Sequence, residues 1–131
     1  MKIEEQVVSL ELATKLKSLR VKQDSLFYWG LNDAFPCNNE IIFFVEELID
    51  NKLKDGGYSA FTASELLEML PAEIEDRKIH LYKDNDNWII EYTDGWGAGE
   101  YIEPFEDNNL CNALAKMLIY LIENNLITLN K

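Results

Sequence analysis

Residues 78–93, KIHLYKDNDNWIIEYT, decide the fold of this chain. The segment holds two runs rich in branched and aromatic residues, 78–83 and 88–93, and such runs predict two strands. Between the runs lies Asp84-Asn85-Asp86-Asn87, whose side chains favour a tight turn, so the segment predicts an antiparallel hairpin. Its register pairs Lys83 with Trp88, Tyr82 with Ile89, Leu81 with Ile90, His80 with Glu91 and Ile79 with Tyr92. We expect the face that carries Ile79, Leu81, Ile90 and Tyr92 to be buried.

The most apolar stretch follows this hairpin and predicts a helix over residues 110–123. Asp107 to Asn109 offer N-caps, and Asn124 and Asn125 end the helix. Apolar residues recur at helical spacing at Leu110, Ala113, Leu114, Met117, Leu118, Leu121 and Ile122. Because so much of its surface is apolar, we expect this helix to lie against the sheet as the main core element. Residues 126–129 would form a packed tail.

The segment between the hairpin and the last helix is less regular. Gly95-Trp96-Gly97-Ala98-Gly99 predicts a flexible loop. Residues 100–105 could form a short strand at the edge of the sheet.

The first half of the chain predicts a similar succession of elements. Residues 7–19 have the spacing of an amphipathic helix, with Ser9 as a plausible N-cap. Residues 25–31 and 41–45 predict two antiparallel strands joined by a loop, although residues 46–54 could instead continue the second run as a helix. Thr62-Ala63-Ser64-Glu65 is a capping box, and it opens a short helix that Pro71 ends.

The elements therefore follow the order helix, strand pair, helix, strand pair, helix. This order predicts an α+β fold, with an antiparallel sheet of about four strands and about three helices packed mainly on one face. The chain has 131 residues, which fits a single domain over 1–131 that can hold its own core.

The composition is strongly acidic, and this charge restricts the kinds of molecule that the protein is expected to bind. The net charge is −12, from 24 acidic and 12 basic residues. A surface of this sign repels the phosphates of nucleic acids and anionic membranes, so we expect the protein to bind neither directly. It attracts basic partners instead.

The cysteines and the N-terminal residues bear on localisation. Cys37 and Cys111 are far apart and form no CxxC pair, as is common in a reducing compartment. Residues 1–6 are charged and no apolar segment follows them, so no signal peptide is expected. The sequence predicts a cytoplasmic protein.

Motifs for catalysis or metal binding are not apparent. His80 is the only histidine, and no serine or cysteine close in sequence offers it a nucleophilic partner. One histidine and two scattered cysteines do not make a zinc site. Residues 84–87 begin like a calcium loop but lack its later glycine and glutamate. The glycines at 95, 97 and 99 do not lead into a helix, as a phosphate-binding loop would. The sequence thus predicts no enzyme, catalytic residue, cofactor or metal.

Aromatic and acidic residues provide the candidates for an interaction surface. Trp96 lies between glycines, which favours its exposure, and Tyr101 follows soon after. Acidic residues cluster twice, at Glu40, Glu46, Glu47 and Asp50 and again at Glu73, Glu75 and Asp76. We expect an interaction surface formed by Trp96, Tyr101, Glu73, Glu75 and Asp76.

Three stretches together resemble a known group of proteins. They are SLFYW at 25–29, YSAFT at 58–62 with the following EL at 65–66 and MLP at 69–71, and NALAKMLIYL at 112–121. In this order they resemble a group of small uncharacterised proteins from prophages and other mobile elements of gut bacteria. The resemblance spans most of the chain. It implies a mobile-element setting and, since that group has no assigned activity, no functional residues.

These observations favour a small acidic protein–protein interaction module from a mobile genetic element, with a partner that is unidentified and basic. The alternative is an acidic DNA mimic that inhibits a host nucleic-acid-binding protein. A third hypothesis, an enzyme or small-ligand binder, requires a cleft that holds His80 beside acidic groups. The edge strand expected at 100–105 could also pair with a second copy to form a homodimer.

Overall fold

A computed structural model of the chain describes residues 5–31, 39–43, 57–94 and 102–129. Within these ranges the helices are α1 Leu10–Ser18, α2 Ala63–Met69 and α3 Leu110–Glu123. The strands are β1 Phe27–Leu31, β2 Asn39–Phe43, β3 Tyr58–Ser59, β4 Glu73–Ile74, β5 Arg77–Asp84, β6 Asn87–Thr93 and β7 Phe105–Asp107. The α+β class is therefore confirmed, and the elements follow the predicted order of helices and strand pairs with the short strands β3, β4 and β7 in addition.

The strands form two antiparallel sheets instead of one. The first has the order β2-β1-β3, and the second has the order β4-β5-β6-β7. The first strand pair is antiparallel as predicted, with Phe27 opposite Phe43 and Leu31 opposite Asn39. Its other side is closed by β3, which pairs Tyr28 with Ser59. Because β1 has a strand on each side, it has no free edge with which to pair with a strand of the second sheet. The alternative helix over 46–54 and the loop over 32–38 lie outside the described residues.

The predicted hairpin is confirmed in register. β5 and β6 pair through all five predicted partners and extend to Lys78 with Thr93 and Asp84 with Asn87. Ile90 and Tyr92 are buried on the inner face, and Ile79 and Leu81 are half-buried there. The ammonium of Lys83 lies 5.4 Å from the centre of the Trp88 ring, a cation–π contact across the end of the hairpin.

Side-chain caps begin all three described helices. Ser9 accepts a hydrogen bond from the Leu12 amide at 3.3 Å, as predicted. In the capping box, Thr62 accepts from the Glu65 amide and Glu65 accepts from the Thr62 amide at 2.9 Å. Asn109 caps α3 through the Asn112 amide at 3.2 Å.

Helix α1 starts three residues later than predicted. Val7 forms an isolated antiparallel bridge with Thr62, and the Val8 amide donates to the carbonyl of Phe61 at 3.0 Å. These contacts hold both residues in extended conformation. The two valines continue the apolar pattern of the helix in sequence, but their backbone groups are used by another segment.

Helix α3 is the centre of the core, as predicted. It packs against α1, α2, β6 and β7. Ala113, Leu114, Met117, Leu118 and Leu121 are each 0% exposed, and they share one cluster with Ile90 and Tyr92 of the hairpin. The tail residues Leu126, Ile127 and Leu129 pack against the same cluster. Within the described ranges, no helix has both the length and the apolarity needed to cross a bilayer.

The strand predicted at residues 100–105 was misplaced. The strand at this position is β7, and it pairs Phe105 with Ile90 and Asp107 with Trp88. Pro104 has no amide hydrogen to donate to a ladder, and Ile102 is buried outside any strand. Pairing therefore starts only after the proline. Residues 100 and 101 lie outside the described part of the chain.

Candidate interaction surface

The four-stranded sheet has an inner face packed on α3 and an opposite face that we call the outer face. Successive side chains of a strand point to opposite faces, so residues paired across strands share a face. The pairings place the following residues on the outer face: Glu73, Lys78, His80, Tyr82, Asp84, Asn87, Ile89, Glu91, Thr93 and Glu106. They are all exposed or half-buried.

Tyr82 lies on the outer face, on β5. Its side chain is 45% exposed, which is unusual among the large hydrophobic residues of the described chain. It faces Ile89, and Ile89 is in turn paired with Glu106 on β7. Partial desolvation and the nearby carboxylates of Glu91, Asp84 and Glu106 raise the pKa of Tyr82. The residue is thus a neutral aromatic group with a hydroxyl, set among negative charges.

The structure brings three of the five predicted site residues to one end of this sheet. Glu73 is exposed on the outer face, and Glu75 and Asp76 are exposed in the turn between β4 and β5. We call these three residues the acidic turn. The predicted Trp96 and Tyr101 lie outside the described residues.

The backbone of the acidic turn is unusual for its sequence. Glu75 has φ 47° and Asp76 has φ 69°, so both central residues of this two-residue hairpin are left-handed. Such a turn favours Asn-Gly, because a β-carbon is disfavoured in that region. Within the described ranges the ion pairs are Lys15 with Glu123 and Lys116 with Asp107, so the acidic turn takes part in neither.

Sequence reasoning missed Tyr82, Glu91 and Glu106 as surface residues with a shared role. The signal for Tyr82 and Glu91 was present, since the predicted register already put them on the face opposite the apolar one. The sequence did not indicate that Glu106 lies in a strand, because the edge strand was predicted to end at residue 105.

His80 belongs to the outer face and lies opposite Glu91. It is exposed on the sheet, the position expected of a surface cross-strand pair. Among the described residues, no group of three or more His, Cys, Asp or Glu side chains is arranged to hold a metal ion.

A cleft of about 660 Å³ lies where the first turns of α2 and α3 meet. Its lining includes Thr62, Ser64, Trp88, Asn109 and Cys111. Cys111 is 3% exposed and its thiol donates to the carbonyl of Gln6 at 3.2 Å. Burial raises the pKa of the Cys111 thiol to about 11, so the nucleophilic thiolate is scarce at neutral pH. The described lining therefore offers hydrogen-bonding groups, and its cysteine is not an activated nucleophile.

Comparison with known proteins adds no assignment: no protein family, curated protein or solved structure matches the chain. The geometry and charge of the outer face are therefore the features that bear on function.

Proposed function

We propose that this chain is a small acidic protein–protein interaction module that binds a basic surface of another protein through its outer face. The observation that supports this proposal is Tyr82, which is 45% exposed and shares a sheet face with Asp84, Glu91 and Glu106, whose charges act on it. Tyrosine is enriched among the residues that dominate binding energy, because it combines a large apolar area with a hydrogen-bonding tip. Surrounding carboxylates would select lysine and arginine on the partner.

The charge of the whole chain supports the same proposal. A net charge of −12 attracts a basic partner over several ångströms and speeds the encounter. The acidic turn adds three exposed carboxylates beside the outer face. Following the resemblance to small prophage proteins, we propose that this module is a non-enzymatic product of a mobile element, and its two separated cysteines favour the cytoplasm.

The conformation of the acidic turn also favours a binding role. Two non-glycine residues held at positive φ cost stability, and such strained positions often occur at functional sites. A glutamate and an aspartate stand where Asn-Gly would fold more easily. Binding of the carboxylates to a partner gives a physical reason for this sequence.

Capture from host-type lysate followed by affinity measurement with the purified partner tests the proposal. We expect Tyr82→Ala to weaken binding by about 2 kcal/mol or more, roughly 30-fold. The matched control is Leu67→Ala, because Leu67 is 39% exposed on α2 and lies away from the outer face. That control should bind like the wild type.

The dependence of binding on salt concentration tests the role of the carboxylates. Binding should weaken steeply as salt rises, and Glu91→Gln with Glu106→Gln should reduce this dependence. Glu68→Gln on α2 removes one charge away from the outer face and is the control for each of the two substitutions made singly. Salt-independent binding that also survives Tyr82→Ala would reject the proposal. Competition by duplex DNA for the captured partner would instead point to the DNA mimic.

A further inference from the structure

Within the described residues, the outer edge of β5 has no neighbouring strand over most of its length. In the described chain, β4 pairs with β5 only at Arg77 and Lys78. One further bond joins the Ile79 amide to the carbonyl of Ala72 at 3.0 Å, and the chain of β4 then leads back to α2. From residue 80 to residue 84, β5 has β6 on one side and no described strand on the other.

The direction of the backbone groups along this edge follows from that last bond. The Ile79 amide points away from β6, and alternate residues of a strand point their N–H and C=O groups to the same side. Leu81 and Lys83 therefore direct their amide and carbonyl groups outward. Unpaired groups in a row of this kind template the addition of another strand.

Pairing with a second copy satisfies these groups best in one register. Antiparallel pairing about a two-fold axis at Tyr82 puts Leu81 opposite Lys83 of the other copy, and this arrangement forms two reciprocal pairs of hydrogen bonds. An axis at Leu81 would need Ile79, whose amide already bonds Ala72. An axis at Lys83 would put two lysines directly opposite each other, which is unfavourable.

The side chains of β5 are complementary in the same register. Tyr82 faces its own copy at a position without hydrogen bonds, where strands approach most closely and aromatic pairs are favourable. His80 faces Asp84 of the other copy, so an imidazole N–H meets a carboxylate. Lys83 stays over the ring of Trp88 in its own chain.

We propose that two copies of this protein associate through the open edge of β5, with Tyr82 on the two-fold axis. The two four-stranded sheets then form one continuous sheet. The outer faces join as well, with the two Tyr82 side chains at their centre. The occupant is a second copy because hydrogen bonds, aromatic contact and charge pairing all coincide in a single self-complementary register.

Sedimentation velocity over a range of protein concentration from about 1 μM to about 1 mM tests this. We expect the wild type to shift from monomer to dimer and Lys83→Pro to remain monomeric. The Lys83 amide points outward, so proline there removes a bond between copies and none within the sheet. Lys83→Ala is the matched control, since it also loses the contact with Trp88 but keeps the amide. Monomeric wild type, or a dimer that survives Lys83→Pro, would overturn the proposal.

A disulfide tests the register independently of how Lys83→Pro folds. In a Cys37→Ser background, Tyr82→Cys should cross-link the two copies under mild oxidation. Directly opposed residues at such a position lie about 4.5 Å apart between Cα atoms, within the range of a disulfide. Asp84→Cys should not cross-link, because the two copies of that residue are separated by more than about 10 Å. Equal cross-linking of both variants would contradict the register.

Failure of this proposal can be told apart from failure of the proposed function. Two chains of net charge −12 repel, so added salt should tighten the dimer, whereas it should weaken binding to a basic partner. Glu91→Gln should affect partner binding and not dimer formation. Lys83→Pro should abolish the dimer while leaving the carboxylates of the outer face in place.

Discussion

Single residues of this protein show how burial changes the chemistry of ionisable groups. Cys111 is 3% exposed and Tyr92 is 1% exposed. The Tyr92 hydroxyl donates to the carbonyl of Pro71 at 2.7 Å, and this bond joins the hairpin to the chain leaving α2. Burial raises the pKa of both groups above their ordinary values. Both therefore act as neutral, structural groups near pH 7.

The raised pKa of Cys111 predicts a loss of stability in alkaline solution. The pKa of the Cys111 thiol is 9.0 in the unfolded chain and about 11 in the folded protein. Above pH 9 the folded state therefore holds more protons than the unfolded state. The free energy of unfolding should therefore fall as pH rises from 9 to 11. Urea unfolding across this range measures the slope.

Cys111→Ala is the control for this prediction, because it removes the titrating group and should flatten the decline. Tyr92 contributes to the same decline, so Tyr92→Phe should flatten it further. A free energy of unfolding that does not change between pH 9 and 11 would contradict the assignment of both groups as buried.

At the scale of elements, α1 and α3 both end in a hydrogen-bonding pattern formed by residues close along the chain. After α3, the Leu126 amide bonds the carbonyl of Leu121 at 2.9 Å and the Asn125 amide bonds that of Ile122 at 3.2 Å. Asn125 is left-handed with φ 57°, so this end is a Schellman motif. Helix α1 ends in the same way, with Arg20 at φ 68° as its left-handed residue. Neither position carries glycine, although glycine is preferred there.

The acidic turn is a hairpin connection whose residues can be tested directly. Replacing Glu75→Asn and Asp76→Gly together should raise the free energy of unfolding by about 1 kcal/mol, because both residues are held at positive φ. Chemical denaturation measures the gain. Glu73→Gln removes a charge from the adjacent strand without relieving the turn, and it should give a smaller effect. A double variant no more stable than this control would show that the turn is not strained.

The capping box of α2 also connects two parts of the fold. Glu65 accepts from the Thr62 amide through one oxygen and from the Leu26 amide through the other, at 2.9 and 3.0 Å. Thr62→Ala should lower the free energy of unfolding by about 1 kcal/mol, because it removes the hydroxyl that caps the helix. Ser64→Ala, in the exposed first turn, should have little effect. Equal losses in the two variants would argue against the cap.

At the scale of the whole molecule, net charge opposes compaction. The net charge of −12 already counts every lysine and arginine, so ion pairs such as that of Lys116 with Asp107 leave the excess of carboxylates unchanged. The pair of Lys15 and Glu123 is exposed on both sides, so its contribution is small.

Salt should therefore stabilise this protein against heat. Sodium chloride screens the repulsion among excess carboxylates, and we expect the melting temperature to rise as its concentration increases. Differential scanning calorimetry at low protein concentration measures the effect on the monomer. A variant with several exposed glutamates changed to glutamine should respond less. A melting temperature that falls with salt would mean that ion pairs outweigh the repulsion.

Local features of this fold are encoded in short stretches of the sequence. The register of the β5–β6 hairpin, the N-caps at Ser9 and Thr62, and the bounds of α3 all follow from interactions between residues close along the chain. Turn residues, caps and apolar spacing act over a few residues, so their signals are readable without tertiary contacts.

The way in which these elements combine depends on contacts between residues that are distant in sequence. The tertiary structure divided the strands between two sheets, held Val7 and Val8 extended against residues 61–62 and moved the edge strand to 105–107. It also set Tyr82 on one sheet face with carboxylates from three strands, and among the described residues it gave β5 no second neighbouring strand from residue 80 to residue 84. These features depend on which distant segments are neighbours. Distant segments compete for the same backbone hydrogen bonds, and this competition determines which of them become neighbours. Local sequence patterns do not indicate which segment wins.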